Sequence, residues 1–439
     1  MIKHFPSKET GIGLLTCLSL VTATMVGTGV YTSLGFQLVD LQSGFSILAL
    51  WALGGVIALC GALSYAELAV AIPRSGGEYT YLTELYHPAI GFMAAFISVM
   101  AGFAAPIALS AIAFGSYLHA ALPMCPAKAA SFLAVILISV GHLRSLKLSK
   151  LVQNGMTALK FLLLALFLFV GFWNVARHPA SLALFLPTAN SLPELFRPRS
   201  GIALIFVLYA YSGWNAATYL AGEVRDRQRT VGRSLMLGTV IVTLLYIALN
   251  AIFLTAAPAA EMRGVLNIGS VAATHLLGAM GGRVMSGMIG LGLLASISAM
   301  IWAGPRVTQR VGEDYSFFAS LGGLSKEGVP VRATLLQLLL VLALLATGSF
   351  ESVLVYAQVP LLLCLVLGVA GVFVLRKRNK MSTGFRCPIF PLPPLLFIFC
   401  TLAALLYSSL SQPWIALAGL GTMILPLLAH PWIASRGKR

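Results

Sequence analysis

Two short stretches decide how this chain is to be read: Val26-Gly27-Thr28-Gly29-Val30, in the middle of the first long apolar segment, and Tyr211-Ser212-Gly213-Trp214-Asn215, in the sixth. Each places glycine and small polar residues where an uninterrupted apolar helix would be expected. Of 439 residues 59% are hydrophobic and 10% charged, and mean hydropathy is +0.91, so the solvent for most of the chain is lipid. A membrane-spanning helix needs roughly 20 apolar residues. Boundaries set at Pro, Gly and charged clusters give about twelve spans, near 12-39, 45-72, 90-119, 127-143, 151-175, 200-222, 234-257, 279-305, 332-348, 351-375, 390-410 and 413-432. The expectation is an all-α polytopic membrane protein with no appended soluble domain.

If spans 1-5 (12-175) and 6-10 (200-375) form two halves, with 390-432 supplying two more helices, the two interruptions occupy corresponding positions. Broken helices in matching places of two halves point to an inverted-repeat transporter with its site near the midplane. Helix packing is the competing reading for Gly27 and Gly29, since small residues let helices approach closely. The repeat is inferred from layout, because the halves share no sequence identity at the breaks.

The net charge of +16 reflects loop composition and not nucleic-acid binding, for no basic stripe with interleaved aromatics occurs. With the N-terminus inside, 22 Lys and Arg fall in inner segments and 6 in outer ones, which places both termini in the cytoplasm. Six widely spaced cysteines without a CxxC pair suggest neither a zinc site nor a disulfide framework, and no cofactor or metal is expected. No HExxH sequence and no convergent ionisable set within the spans supports an enzyme. A twelve-span carrier of the major facilitator type would not predict the two breaks. No pore-loop filter suggests a channel, and a membrane sensor or structural protein stays open.

Further motifs carry a family resemblance. Ser64-Tyr-Ala-Glu-Leu-Ala-Val-Ala-Ile-Pro-Arg-Ser-Gly-Gly-Glu-Tyr-Thr-Tyr-Leu82 follows the second span; Tyr209-Ala-Tyr-Ser-Gly-Trp-Asn215 and Gly222-Glu-Val-Arg-Asp226 mark the sixth and its exit. Gly304-Pro-Arg-Val307, Gly312-Glu-Asp314 and Val329-Pro-Val-Arg-Ala333 follow the eighth. With Gly27-Thr28-Gly29-Val30, these resemble the amino acid-polyamine-organocation superfamily, nearest its L-type amino acid transporter branch, from Gly11 to about Ala333. The resemblance implies a LeuT-like fold of two inverted five-helix repeats plus two helices, with helices 1 and 6 broken.

It also implies a substrate, a free amino acid. Broken helices can offer unpaired N–H groups to its carboxylate and unpaired carbonyls to its ammonium without any charged side chain. The substrate-binding candidates are therefore Gly27, Thr28 and Gly29 on one break and Tyr209, Ala210, Ser212, Gly213 and Asn215 on the other. The N–H groups of Thr28 and Gly29 would meet the carboxylate; carbonyls near Tyr209, Ala210 and Ser212 would meet the ammonium. Tyr209 stands where the family places an aromatic gate, or is a packing aromatic. Asn215 either lines the site or bonds across helices. Ser212 replaces the acidic residue of branch members that accept cationic substrates, which favours a neutral one.

Lys160, in Thr157-Ala-Leu-Lys-Phe-Leu-Leu-Leu-Ala165, puts a charge in the apolar fifth span, at a cost of about 2.5–3.5 kcal/mol near a helix centre. Snorkelling competes, although Lys150, the last basic residue before it, lies about 15 Å away along the helix. In the family a lysine here resembles a fixed substitute for a sodium ion, joining helix 1 to helix 8, with Ser296 and Ser298 as candidate partners. Sodium-independent alternating access follows, exchange being slightly favoured over proton-coupled symport or transport of cationic amino acids or polyamines. Glu67 and Glu223 are read as loop anchors for nearby arginines. Cys125, in an outer loop, resembles the cysteine through which animal light chains bond to a partner glycoprotein, but a stand-alone carrier in the cell or inner membrane is the expectation.

Overall fold

The computed structural model describes residues 13–435 except 73, 75, 145, 225, 327 and 379–383. Lys3, Lys8, Arg225, Lys380, Arg436, Lys438 and Arg439, which entered the charge-asymmetry argument, lie outside the described residues. The long helices in chain order are α1 (Leu14–Met25), α2 (Gly29–Asp40), α3 (Gly44–Ala71), α4 (Gly77–Leu85), α5 (Pro88–Ala121), α6 (Ala127–Arg144) and α7 (Leu146–Arg177). They continue as α8 (Pro198–Tyr211), α9 (Arg227–Ala256), α10 (Ile268–Asp314), α11 (Val331–Thr347), α12 (Phe350–Lys377), α13 (Leu392–Ser411) and α14 (Pro413–Ser435).

Among the described residues nine helical segments are long and apolar enough to cross a membrane, counting α1 and α2 as one, and Ala127–Leu143, Arg199–Tyr211 and Val331–Thr347 are shorter apolar helices. The fold is an all-α polytopic membrane bundle, as the hydropathy predicts. Its first span is two helices, since α1 stops at Met25 and α2 restarts at Gly29. The sixth is α8 followed, after Ser212–Asn215, by a 3-10 segment, Ala216–Glu223. Both interruptions fall on the residues that the glycines mark.

The eighth span departs from the expected 279-305. Proline at 305 reads as a terminus because it lacks an N–H and crowds the preceding turn, yet α10 continues to Asp314. Neighbouring side chains pair with carbonyls around the proline. Gln337 of α11 donates to the Met300 carbonyl at 3.2 Å, and Arg306 donates to that of Trp302 at 2.9 Å. At its other end the helix is interrupted at Gly278, at φ 76° and ψ 177°, so the expected start at 279 coincides with that interruption.

The core lies where α2, α3, α5, α8, α9, α10 and α12 meet; Trp51, Tyr65, Tyr211, Tyr246 and Phe206 are wholly buried there. By contrast Leu162, Leu166, Phe169, Leu417, Leu425 and Leu428 stand exposed on α7 and α14. An exposed apolar stripe of this kind is what contact with lipid hydrocarbon requires.

Candidate functional site

The two breaks touch. A Cβ on Gly29 would lie 2.4 Å from Ala210 Cα, so only hydrogen at position 29 lets α2 cross α8 this closely. Gly213 holds φ +101°, a conformation that L side chains rarely adopt, and a Cβ there would lie 3.0 Å from the Thr24 carbonyl carbon. Thr24 Oγ1 donates to the Gly213 carbonyl at 3.2 Å. Gly27 is different. It is half-buried, and the nearest atom to an added Cβ would be Met25 O at 3.8 Å, so it borders open space. Thr28 is buried, and its Oγ1 shares a 2.6 Å hydrogen bond with Ser110 Oγ of α5. Because α2 starts at Gly29, the N–H groups of Gly29 and Val30 precede the first intrahelical bonds and lie at the positive end of the helix dipole, while that of Tyr31 already donates to the Thr28 carbonyl at 3.1 Å.

On the opposite break the carbonyls are partly engaged. The Ser212 N–H donates to the Tyr209 carbonyl at 3.0 Å, and Ser212 Oγ to that of Leu208 at 3.2 Å. The Ala210 carbonyl accepts from Tyr246 Oη of α9 at 3.0 Å, and the same hydroxyl is 2.6 Å from the Met25 carbonyl. The Tyr209 carbonyl therefore keeps one free lone pair, while the Ala210 carbonyl shares the single Tyr246 proton with the nearer Met25 carbonyl. Tyr246 is absent from the sequence-derived candidates. Its signal was a phenol in the apolar run Leu244-Leu-Tyr-Ile247, where a buried hydroxyl must find a partner.

Tyr209 is buried and presents its ring edge-on to Phe350, the first residue of α12, at 6.4 Å between centroids. Phe36 stacks on Phe206 at 4.8 Å and on Phe350 at 5.6 Å, so aromatic side chains from α2, α8 and α12 pack together beside Tyr209. Asn215 bonds away from the break, its Nδ2 donating to Glu78 Oε1 of α4. Of its two expected roles, the structure has the cross-element bond.

Lys160 is buried, with Nζ donating to the Val26 carbonyl at 2.6 Å and the Ala23 carbonyl at 3.2 Å. Those carbonyls sit where α1 ends, so the ammonium meets the negative end of that helix. A headgroup held this way does not snorkel. The expected serine partners are not brought to it: Ser298 Oγ pairs with His142 Nε2 at 2.9 Å and Ser296 Oγ turns back to the Gly292 carbonyl at 3.3 Å. Both serines find nearer partners, one across to α6 and one within its own helix turn. What Lys160 meets on α10 is Gly292, whose added Cβ would lie 3.5 Å from the lysine Cγ. Beside it Tyr31, Phe167, Phe253, Met285 and Gly292 help to line a small cavity of about 20 Å³, room for one water molecule.

Away from the breaks, Arg376 forks onto Glu67, Nε and Nη2 each 2.8 Å from a carboxylate oxygen, and the Cys387 N–H donates to the same carboxylate at 2.7 Å. Glu67 thus anchors an arginine and a loop. The side chain of Glu223 lies outside the described residues. Cys125 is half-exposed in the loop after α5 and carries a free thiol. Among the described residues no group of three or more His, Cys, Asp or Glu is disposed to hold a metal ion.

Residues 12–425 match the profile of a family described as Amino acid permease. The chain belongs to the amino acid permease family. Within it, the chain is similar to the serine/threonine exchanger SteT of Bacillus subtilis, at 29% identity over 396 residues and 88% of each chain. The mouse large neutral amino acids transporter small subunit 2 is 27% identical, covering 94% of this chain and 79% of that one. The mouse b(0,+)-type amino acid transporter 1 is 25% identical, over 93% and 84%. This permease therefore stands near the L-type branch of the amino acid-polyamine-organocation superfamily, as its motifs indicate.

Proposed function

We propose that this permease carries neutral L-amino acids across the membrane by sodium-independent alternating access, with exchange as its principal mode. The observation that carries the reading is the Lys160 ammonium on the Val26 and Ala23 carbonyls: a fixed cation satisfies the end of α1, leaving no call there for a mobile one. The neutral preference rests on Thr28, Ser110, Tyr209 and Ser212, uncharged side chains at or beside the breaks. A zwitterion needs both its charges met on losing water, which the N–H groups opening α2 and the remaining lone pairs on α8 can do. In this reading 12-175 and 200-375 are the inverted repeats, 390-432 the two added helices, and both termini are cytoplasmic. The named serine/threonine substrates of the Bacillus relative and the neutral substrates of the mouse one support the same class. Counterflow of radiolabelled serine, threonine, alanine or leucine into proteoliposomes preloaded with unlabelled amino acid tests it. Uptake that needs internal amino acid and ignores a sodium gradient is expected. Stimulation by sodium, or no counterflow with any neutral amino acid, overturns it.

A further inference from the structure

The half of the sixth span beyond Gly213 is built weakly. It is a 3-10 segment, Ala216–Glu223, whose hydrogen-bond geometry is poorer than that of an α-helix and which seldom persists so long without outside support. Support comes from α3 and α4. The Tyr65 ring of α3 meets Trp214 edge-on at 5.0 Å. The Glu78 carboxylate of α4, itself buried, accepts from Asn215 Nδ2 on one oxygen and from Tyr219 Oη at 2.5 Å on the other. The preceding backbone brings it there. Gly77 has φ +54°, and a Cβ on it would lie 2.5 Å from the Tyr219 ring. One carboxylate therefore bonds both to the residue leaving the break and to the residue one turn further on.

We propose that Glu78 is the positioning residue for this half of helix 6: it latches the segment against α4, and release of that latch opens the binding site toward the α4 end of the bundle. Hydrogen bonds to an ionised acceptor are roughly twice as strong as neutral ones, so the latch rests on charge as well as shape. The groups facing the carboxylate beyond its two donors are Tyr65 on α3, Tyr81 on α4 itself and Cys364 on α12. A Gln at 78 keeps the shape and removes the charge. It shifts the carrier toward the form open at the α4 end, and a site open less often to the opposite face binds more weakly from that face.

The inference rests on the transport reading, and two measurements separate their failures. The first is hydrogen exchange of the purified full-length protein in nanodiscs. Glu78→Gln, and to a smaller extent Tyr219→Phe, is expected to speed exchange in residues 213–223 by about fivefold, equivalent to ~1 kcal/mol, while α9 and α12 stay unchanged. The second is exchange transport in right-side-out and inside-out vesicles. Glu78→Gln is expected to raise the apparent KM about fivefold from the face opposite α4 and not from the α4 face, an asymmetry that general destabilisation does not produce. Unchanged exchange in 213–223, or a KM that shifts equally from both faces, overturns the latch. If the wild type does not transport, the transport reading fails and the exchange measurement alone decides the latch.

Discussion

Gly27 and Gly29 are two residues apart in one motif, yet the structure gives them opposite reasons to be glycine, and alanine at each position separates the two. At Gly29 a methyl would sit 2.4 Å from Ala210 Cα and 2.7 Å from its Cβ. Carbon atoms in contact keep about 3.5 Å apart, so α2 and α8 must part by roughly 1 Å, and overpacking of this kind costs about 1–3 kcal/mol. At Gly27 the methyl meets only Met25 O, at 3.8 Å, an ordinary contact. Gly27→Ala should therefore leave the unfolding midpoint near that of the wild type. In the proposed site, however, the methyl occupies space through which a carboxylate reaches the N–H groups of α2. Losing one hydrogen bond to a charged group, about 1.5–3 kcal/mol, weakens apparent affinity roughly tenfold to a hundredfold. The assay pairs thermal unfolding in detergent with counterflow in proteoliposomes. Gly29→Ala should lose stability and transport together, and Gly27→Ala transport alone. Wild-type counterflow by Gly27→Ala, or equal destabilisation by both, would refute the assignment of the open space to substrate.

Three further expectations concern residues around this crossing and the two faces of the bundle. Lys160→Met removes the donor from the Val26 and Ala23 carbonyls and should abolish most counterflow while the protein still purifies as a monodisperse species; full activity would sink the fixed-cation reading. Tyr246→Phe deletes the hydroxyl within reach of the Met25 and Ala210 carbonyls, leaving buried acceptors short of a partner, and should lower stability by about 1–3 kcal/mol; denaturation that matches the wild type counts against the geometry. Burial, with the Glu67 carboxylate beside it, pushes the Cys387 thiol up to about 11, so it stays protonated and shielded at pH 8. An impermeant maleimide should label half-exposed Cys125 from one side of the membrane and leave Cys387 unmodified from either, and fast labelling of Cys387 in the folded protein would contradict its burial.

Much of the frame was legible because it depends on residues with few alternative uses. Glycines inside a lipid-facing composition mark breaks, and a lysine in an apolar run demands compensation, so α1/α2, the end of α8 and Lys160 could all be located beforehand. Partners were harder. Lys160 was expected to join helix 1 to helix 8 through Ser296 and Ser298; it does reach the end of α1, on backbone carbonyls that leave no trace in side-chain identity, but on α10 it meets Gly292 and neither serine. Tyr246 and Glu78 act through contacts spanning 221 and 141 residues of chain, separations for which one sequence offers no register. Pro305 misled for a related reason: the side chains pairing with the carbonyls around it include one from another helix.

A lysine fixed in α7 stays with the protein through a turnover, whereas a bound sodium ion would travel with the substrate. With the Lys160 proton retained, and one zwitterion exchanged for another as proposed, no net charge would cross in a turnover. The membrane voltage, which is worth about 2.3 kcal/mol per elementary charge for every 100 mV, then has nothing to drive. This carrier would be electroneutral, equilibrating amino acid pools by composition alone and holding no gradient that its partner substrate does not already supply.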